Sequence, residues 1–232
     1  MARRLKNKKK DDATLVDIVE VRATAGDFFE DNKNIIIGVV VGAIVLFGGW
    51  FGYRHLYQMP KQAEAVEQMF MAQQQFERDS FALSLTNPGG GYSGFLDIID
   101  NYGGTPAANM SLYYAGIAYL NLGKFEAALD YLKDYNPKGD VTPVMKFGAM
   151  GDAYSELLDM DNALKFYKKA INTSSNDFLT AYYLKKLGML NEQQGNIQEA
   201  LSAYERIKKE FPKTPYGADI DKFIIRANGK KG

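Results

Sequence analysis

The sequence predicts an all-α fold, in which an N-terminal single transmembrane helix is followed by an α-solenoid of helical repeats. Three observations support this prediction. No Asp, Glu, Lys or Arg falls between Ile35 and Tyr53, although 24% of the 232 residues are charged. Beyond Met59-Pro60, similar segments with helical spacing recur along the chain. The chain has no cysteine, which excludes a disulfide-stapled fold.

The uncharged stretch matches the thickness of a lipid bilayer. It lies within NIIIGVVVGAIVLFGGWFGYRH, and its nineteen residues at ~1.5 Å each span ~28 Å, close to a hydrocarbon core of ~30 Å. A cleaved signal peptide would have a short leader and a small-residue exit, whereas 34 residues precede this stretch and Trp50 and Phe51 end it. The alternative is a helix buried in a soluble core, but a stretch with no polar face suits lipid better than a protein surface. We therefore assign 35–57 to a transmembrane helix within the lipid bilayer.

Basic residues set the predicted orientation of this helix. The basic counts on its two flanks are equal, but the short N-terminal tail adds Arg3, Arg4, Lys6, Lys8, Lys9 and Lys10. The positive-inside rule then places residues 1–34 in the cytoplasm, as a basic tail and juxtamembrane segment, and the remainder outside it. Trp50, Tyr53 and Tyr57 lie where an interfacial aromatic belt is expected.

Glycines recur inside the predicted transmembrane helix. Gly38 with Gly42, and Gly48 with Gly52, have the spacing that places each pair on one helix face and lets another backbone approach closely. Glycine is also common in membrane helices that lack such a contact. We expect these four glycines to pack against a partner helix.

Three segments after the membrane stretch are similar to one another. They are LYYAGIAYLNLGKFEAALDYL (112–132), FGAMGDAYSELLDMDNALKFYKKA (147–170) and LKKLGMLNEQQGNIQEALSAYERI (184–207). Each has a first-helix glycine, a second-helix alanine and a bulky residue four positions later. This pattern resembles the tetratricopeptide repeat, a helix, a turn and a second helix in ~34 residues. We predict a repeat domain over 58–228, with about three regular repeats, one degenerate repeat and a C-terminal capping helix.

The joints between repeats carry local signals. Gly123 and Gly195 supply two turns, whereas the middle repeat has Leu158 there, so we expect its turn to have a different backbone. Thr105-Pro106 and Thr214-Pro215 predict helix starts.

The two ends of the repeat domain have their own pattern. We expect single helices over 60–85 and 94–101, joined by the glycine-rich connector TNPGGGYSG. In YGADIDKFIIRANGKKG, we expect Ala218, Phe223 and Ile224 to cover the last repeat. The polar residues should face water: Asp219, Asp221, Lys222 and Arg226.

The sequence lacks a recognisable set of catalytic residues. His55 is the only histidine and there is no cysteine, so neither a zinc cluster nor a Ser/Cys-His arrangement can form within one chain. The net charge is zero, which gives no electrostatic reason to expect nucleic acid. We predict a non-enzymatic protein with no catalytic, cofactor or metal residues.

The repeat pattern also predicts a partner-binding groove. First-helix residues that do not pack within a unit should line it: Met110, Tyr113, Ile117, Leu120, Met145, Gly148, Asp152, Ser155, Tyr182, Lys185, Met189 and Glu192. This set is rich in methionine and tyrosine, which favours extended or unfolded apolar segments as partners. The alternative is that the protein's own first helices cover the stripe. Ile117, Asp152 and Met189 replace the asparagine with which some family members hold a C-terminal carboxylate, so that mode is not expected.

A narrower resemblance lies in GDFFEDNKNIIIGVVVGAIVLFGGWFGYRHLYQMPKQAEA (26–65). A Phe-Phe element and an Asn-Lys step precede a glycine-rich anchor, which an aromatic exit and an Ala/Gln/Glu-rich helix follow. This arrangement resembles YfgM-type proteins, the ancillary subunits of the bacterial Sec translocon. The resemblance implies a single-pass inner-membrane protein with a periplasmic repeat domain and no enzymatic activity.

The resemblance also implies partners, namely Sec translocon subunits, a PpiD-type periplasmic chaperone and emerging secretory polypeptides. The competing interpretation is a cell-envelope scaffold for an outer-membrane assembly, division or secretion machine, whose repeats have a similar FPKTPYGA junction.

Overall fold

The computed structural model describes residues 28–230, which contain helices and no strand. The chain divides into two compact units, one ending at Met59 and the other beginning at Pro60. The first unit contains helix α1 (Lys33–Gly52), followed by a π-helical segment (Tyr53–Gln58). Within the described part of the chain, none of the residues of α1 is buried, although the helix is apolar on all faces.

One helical stretch in the described part of the chain, Lys33–Glu77, is long and apolar enough to cross a membrane by length and composition. No part of the most apolar section of this stretch is buried inside the protein. At the end of the apolar stretch, the Arg54 guanidinium lies 5.4 Å from the centre of the Trp50 ring, and Tyr53 stacks on Tyr57 at 5.5 Å. Amphipathic side chains of these types are typical of a membrane interface.

The second unit is a series of helices connected by short turns. Its helices are α2 (Met59–Glu77), α3 (Phe81–Thr86), α4 (Phe95–Asn101), α5 (Pro106–Asn121), α6 (Phe125–Asp134), α7 (Thr142–Glu156), α8 (Met160–Thr173), α9 (Asp177–Gln193), α10 (Ile197–Glu210), α11 (Pro215–Ala218) and α12 (Asp221–Asn228). The pairs α5/α6, α7/α8 and α9/α10 are helical hairpins that stack in chain order. The predicted all-α solenoid is confirmed.

In each hairpin, a bulky side chain of the second helix packs against a glycine of the first helix. A Cβ atom at Gly116 would lie 2.6 Å from Leu132 Cγ, and one at Gly151 would lie 2.6 Å from Tyr167 Cδ1. A Cβ atom at Gly188 would overlap the Tyr204 ring. The bulky residue of the second helix therefore fills the space that the glycine leaves, which is the packing expected from the recurrent Gly, Ala and bulky positions.

The turn of the middle hairpin corrects one expectation. Leu158 has a φ of 60°, close to the 72° of Gly123 and the 78° of Gly195. Its amide donates to Ser155 O at 3.1 Å, and the next amide donates to Tyr154 O at 2.9 Å. The same two bonds occur at both glycine turns, so all three helices end in a Schellman motif. The prediction of a different backbone was wrong, because the middle hairpin keeps the Schellman motif and Leu158 adopts the left-handed conformation that glycine has in the other two turns.

The expected helix over 60–85 is also wrong, since it is divided into α2 and α3. Asp79 has a φ of 57° and its amide donates to Phe76 O, while the Ser80 amide donates to Gln75 O. These bonds form a fourth Schellman motif that ends α2. Gln75 then donates from its side chain to Pro88 O at 3.0 Å and holds the glycine-rich connector against α2.

Threonine caps begin helices at both predicted junctions. The Thr105 hydroxyl accepts from the Ala108 amide, and the Thr214 hydroxyl accepts from the Gly217 amide, each at 3.1 Å. The C-terminal cap differs from the expectation, because it consists of α11 and α12, and the fully buried Ile220 lies between them. Phe223 is buried as expected, whereas Ala218 is exposed.

Candidate partner-binding site

The first helices of the three hairpins and the terminal helix border a cleft of about 890 Å³. Helices α5, α7 and α9 supply most of its lining, and α12 closes one end. The residues that line it are Leu120, Asn121, Gly123, Phe125, Asp152, Ser155, Glu156, Tyr167, Lys186, Met189, Leu190, Glu192, Gln193, Arg226 and Lys230. The cleft therefore combines apolar and charged side chains.

A charged pair spans the middle of the cleft. The Lys186 ammonium on α9 donates to both carboxylate oxygens of Asp152 on α7, at 2.6 and 2.7 Å. The Tyr167 hydroxyl donates to the same carboxylate at 2.7 Å. Burial disfavours the charge on Lys186, but Asp152 outweighs this effect and raises the pKa of Lys186 above its usual value. Burial and the neighbouring carboxylate also raise the pKa of Tyr167.

A second charged group closes the cleft at α12. Only 3% of the Glu192 side chain is exposed, and its carboxylate accepts from Arg226 at 2.7 and 2.8 Å. It also accepts from Lys230 at 2.9 Å and from the Tyr204 hydroxyl at 3.0 Å. The hydrogen bond from Arg226 is the main reason that the pKa of Glu192 falls to about 2, and burial opposes this shift. Glu192 is therefore ionised at neutral pH and fully paired.

The two ion pairs have the same spacing along the sequence. Asp152 and Lys186 are 34 residues apart, and so are Glu192 and Arg226. In each pair a carboxylate on one first helix contacts a cation one repeat later, and a second-helix tyrosine donates to the same carboxylate. The sequence analysis missed this role for Lys186 and Arg226, and it expected Arg226 to face water. An acidic residue one repeat before a basic residue was the available signal.

The structure brings together only some of the residues predicted for the groove. Leu120, Asp152 and Met189 line the cleft, as do Ser155 and Glu192. Met189 is 44% exposed, so it is open to a ligand. Glu192, in contrast, is buried and paired with Arg226 and Lys230 of the same chain.

The other predicted groove residues lie outside the cleft. Tyr113 packs on Tyr135 at 5.3 Å, and burial raises the pKa of Tyr113 to about 12. The Tyr135 hydroxyl lies 3.8 Å from the Met110 sulfur. Internal packing also uses Ile117, Gly148, Tyr182 and Lys185, whereas Met145 is 36% exposed. Several residues of the predicted groove therefore make contacts within the protein instead of lining an open cleft.

The glycines of the predicted transmembrane helix have no neighbour among residues 28–230. A Cβ atom at Gly38, Gly42, Gly48 or Gly52 would meet nothing within 4 Å. The face that they form is free to accept another helix, and its packing against a partner remains a prediction.

The cleft offers little for catalysis. No group of three or more His, Cys, Asp or Glu residues within 28–230 could hold a metal ion. The carboxylates of Asp152 and Glu192 are occupied by cations of the same chain. Binding of another polypeptide is the function that this arrangement suits, because the cleft is open and combines apolar surface with a charged end at α12.

Stacked helical hairpins with an open cleft define a helical-repeat interaction protein. Comparison with known families identifies the repeats: models described as tetratricopeptide repeat match residues 110–136, 147–177 and 184–214. The second unit is thus a tetratricopeptide-repeat solenoid. Such a fold is typically a non-catalytic scaffold for protein–protein interaction.

Solved structures agree with this fold. The nearly identical TPR-like repeats of a protein from Podosopora anserina, described as a candidate kinesin light chain, have a TM-score of 0.57 and 12% identity, over 74% of this chain and 88% of that one. A single-substitution variant of the same protein gives the same values. At this identity the likeness shows the fold alone. No curated protein matches the chain, so the comparisons support the repeats and do not extend to the YfgM-type family.

Proposed function

We propose that the protein is a non-enzymatic scaffold anchored in the bacterial inner membrane, where it serves as an ancillary subunit of the Sec translocon. Its N-terminus lies in the cytoplasm and its repeat domain in the periplasm. There the domain holds a PpiD-type chaperone or receives emerging secretory polypeptides. The observation that carries the proposal is the combination of one exposed apolar helix with a tetratricopeptide-repeat solenoid in the same chain.

The chemistry of α1 supports the membrane anchor. Ile35, Val41 and Phe47 lie on three different faces of the helix, and each is more than half exposed. Burying apolar surface is worth roughly 25 cal/mol per Å², so a helix with no buried residue gains most of its stabilisation from lipid. The basic tail at positions 3–10 favours the cytoplasmic side for the N-terminus.

The resemblance of residues 26–65 to YfgM-type proteins supports the choice of the Sec translocon. The glycine face of α1 provides a surface for a translocon or chaperone helix, because no side chain in the described part of the chain covers it. The cleft of the second unit provides a separate surface for a polypeptide outside the membrane.

Detergent co-purification tests this proposal. The full chain should retain SecY-type subunits and a PpiD-type chaperone, whereas Gly38→Leu with Gly42→Leu should lose them. The matched control is Val40→Leu with Ile44→Leu, which has the same spacing on another part of the helix. Retention of these partners by the glycine variant would contradict helix docking. Recovery of outer-membrane assembly, division or secretion machinery by the unmodified chain would instead support the envelope-scaffold interpretation.

A further inference from the structure

The cleft has an excess of positive charge at the end formed by α12. Arg226 and Lys230 both contact one carboxylate, that of Glu192. That carboxylate also accepts from Tyr204, so its oxygens are fully used. The side chains of Arg226 and Lys230 are 49% and 53% exposed. Two cations that share one buried anion leave one positive charge facing the solvent.

The Phe223 ring on α12 contacts three cations, of which only Arg226 lines the cleft. Lys185, Lys222 and Arg226 lie 4.7, 5.7 and 4.8 Å from the centre of the Phe223 ring. Of these, Lys222 is paired with Asp219 at 2.8 Å. The ring helps to hold Arg226 in place through a cation–π contact, so this cation is positioned before any ligand arrives.

The rest of the cleft is apolar or neutral, apart from one carboxylate. Leu120, Phe125 and Met189 provide apolar lining, and Asp152 is neutralised by Lys186. Glu156 is exposed and lies on α7, away from α12. The cleft therefore has a basic end at α12, and α9 with its apolar Met189 lies between this end and Glu156 on α7.

We infer that this cleft binds a polypeptide segment that has a short apolar stretch with acidic residues at one end, and that the acidic residues lie against Arg226 and Lys230. The volume of about 890 Å³ accommodates several side chains rather than a folded domain. Charge complementarity gives the segment its direction, because its acidic end is attracted to α12 and repelled by Glu156. The inference rests on the proposed scaffold function, and it specifies the class of segment that the scaffold receives.

Peptide binding to the full chain in non-ionic detergent tests this inference. The probe is a fluorescein-labelled, amidated peptide of four apolar residues followed by two glutamates, and matched peptides end in two glutamines or two lysines. Fluorescence anisotropy should show that the glutamate peptide binds about tenfold more tightly than the glutamine peptide, and the lysine peptide more weakly still. High salt should remove the difference between the glutamate and glutamine peptides, since the contact is exposed to solvent.

Two pairs of variants locate the contact. Lys230→Gln should reduce the preference for glutamate over glutamine by about threefold, while Lys213→Gln, which removes an exposed lysine outside the cleft, should leave it unchanged. Met189→Ser should weaken all three peptides, while Met145→Ser, an exposed methionine outside the cleft, should not.

Equal binding of the three peptides, a preference for lysine, or no binding at all would overturn the inference. An equal effect of Met145→Ser and Met189→Ser would also overturn it, because the peptide would then not lie in the cleft. These results are independent of co-purification, which depends on the membrane helix. A chain that retains translocon subunits but shows no glutamate preference would refute the cleft assignment alone.

Discussion

Replacing Leu158 with glycine should stabilise the repeat domain. Leu158 has a φ of 60° in the Schellman motif that ends α7, and the equivalent positions in the flanking repeats are glycines. A left-handed conformation costs an L-residue with a side chain about 1–2 kcal/mol. The side chain is 75% exposed, so its removal forfeits little buried apolar area. Glycine also raises the conformational entropy of the unfolded chain, which favours unfolding by about 0.4–1 kcal/mol. The free energy of unfolding should therefore increase by a net of about 0.5–1 kcal/mol.

Urea and thermal unfolding followed by circular dichroism measure this gain. A domain of this size should show an increase in Tm of about 1–4 °C, since 1 kcal/mol shifts Tm by ~2–4 °C for 150–250 residues. Gly195→Ala is the matched control, because it places a side chain at the same left-handed position, and it should lower stability by about 1 kcal/mol. The reasoning is refuted if Leu158→Gly leaves stability unchanged or reduces it while Gly195→Ala behaves as expected.

Three further predictions concern packing, charge and topology. Gly188→Ala should destabilise the third hairpin by about 1–2 kcal/mol in urea unfolding, because a Cβ atom there overlaps the buried Tyr204 ring. The lowered pKa of Glu192, from 4.5 to about 2, adds stability that is complete above pH 4.5 and is lost as the pH falls towards 2. After allowance for solvent around its half-exposed cations, acid titration should cost the unmodified chain about 1–2 kcal/mol more than Glu192→Gln between pH 5 and 2. Since the chain has no cysteine, a membrane-impermeant maleimide should label Lys213→Cys in intact spheroplasts, and Ala13→Cys only after permeabilisation; the reverse pattern would invert the proposed topology.

Sequence reasoning identified the repeats because close packing restricts residue size at fixed positions. Gly116 and Leu132 could be recognised as partners, since a small residue and a bulky one recur at the same places in every unit. The backbone at Leu158 could not be read in this way. The hydrogen bonds of the helix end hold that residue in a conformation that its own type disfavours.

The candidate site was less predictable than the fold. The positions of Leu120 and Met189 follow from the repeat pattern, which places both on first helices, and both line the cleft. The contribution of Arg226 depends on how the terminal helix packs on the third repeat, and no local signal specifies this. The packing of Tyr113 against Tyr135 similarly depends on the path of the chain after α6.

The two ion pairs that join residues 34 positions apart also limit how wide the cleft can open. Asp152–Lys186 joins α7 to α9, and Glu192–Arg226 joins α9 to α12, and all four side chains line the cleft. Each link has a maximum length set by a lysine or arginine side chain, so the helices can separate only by breaking it. A thick ligand, such as a bulky folded hairpin, would have to break these links. A single extended strand could thread between the helices and leave them intact.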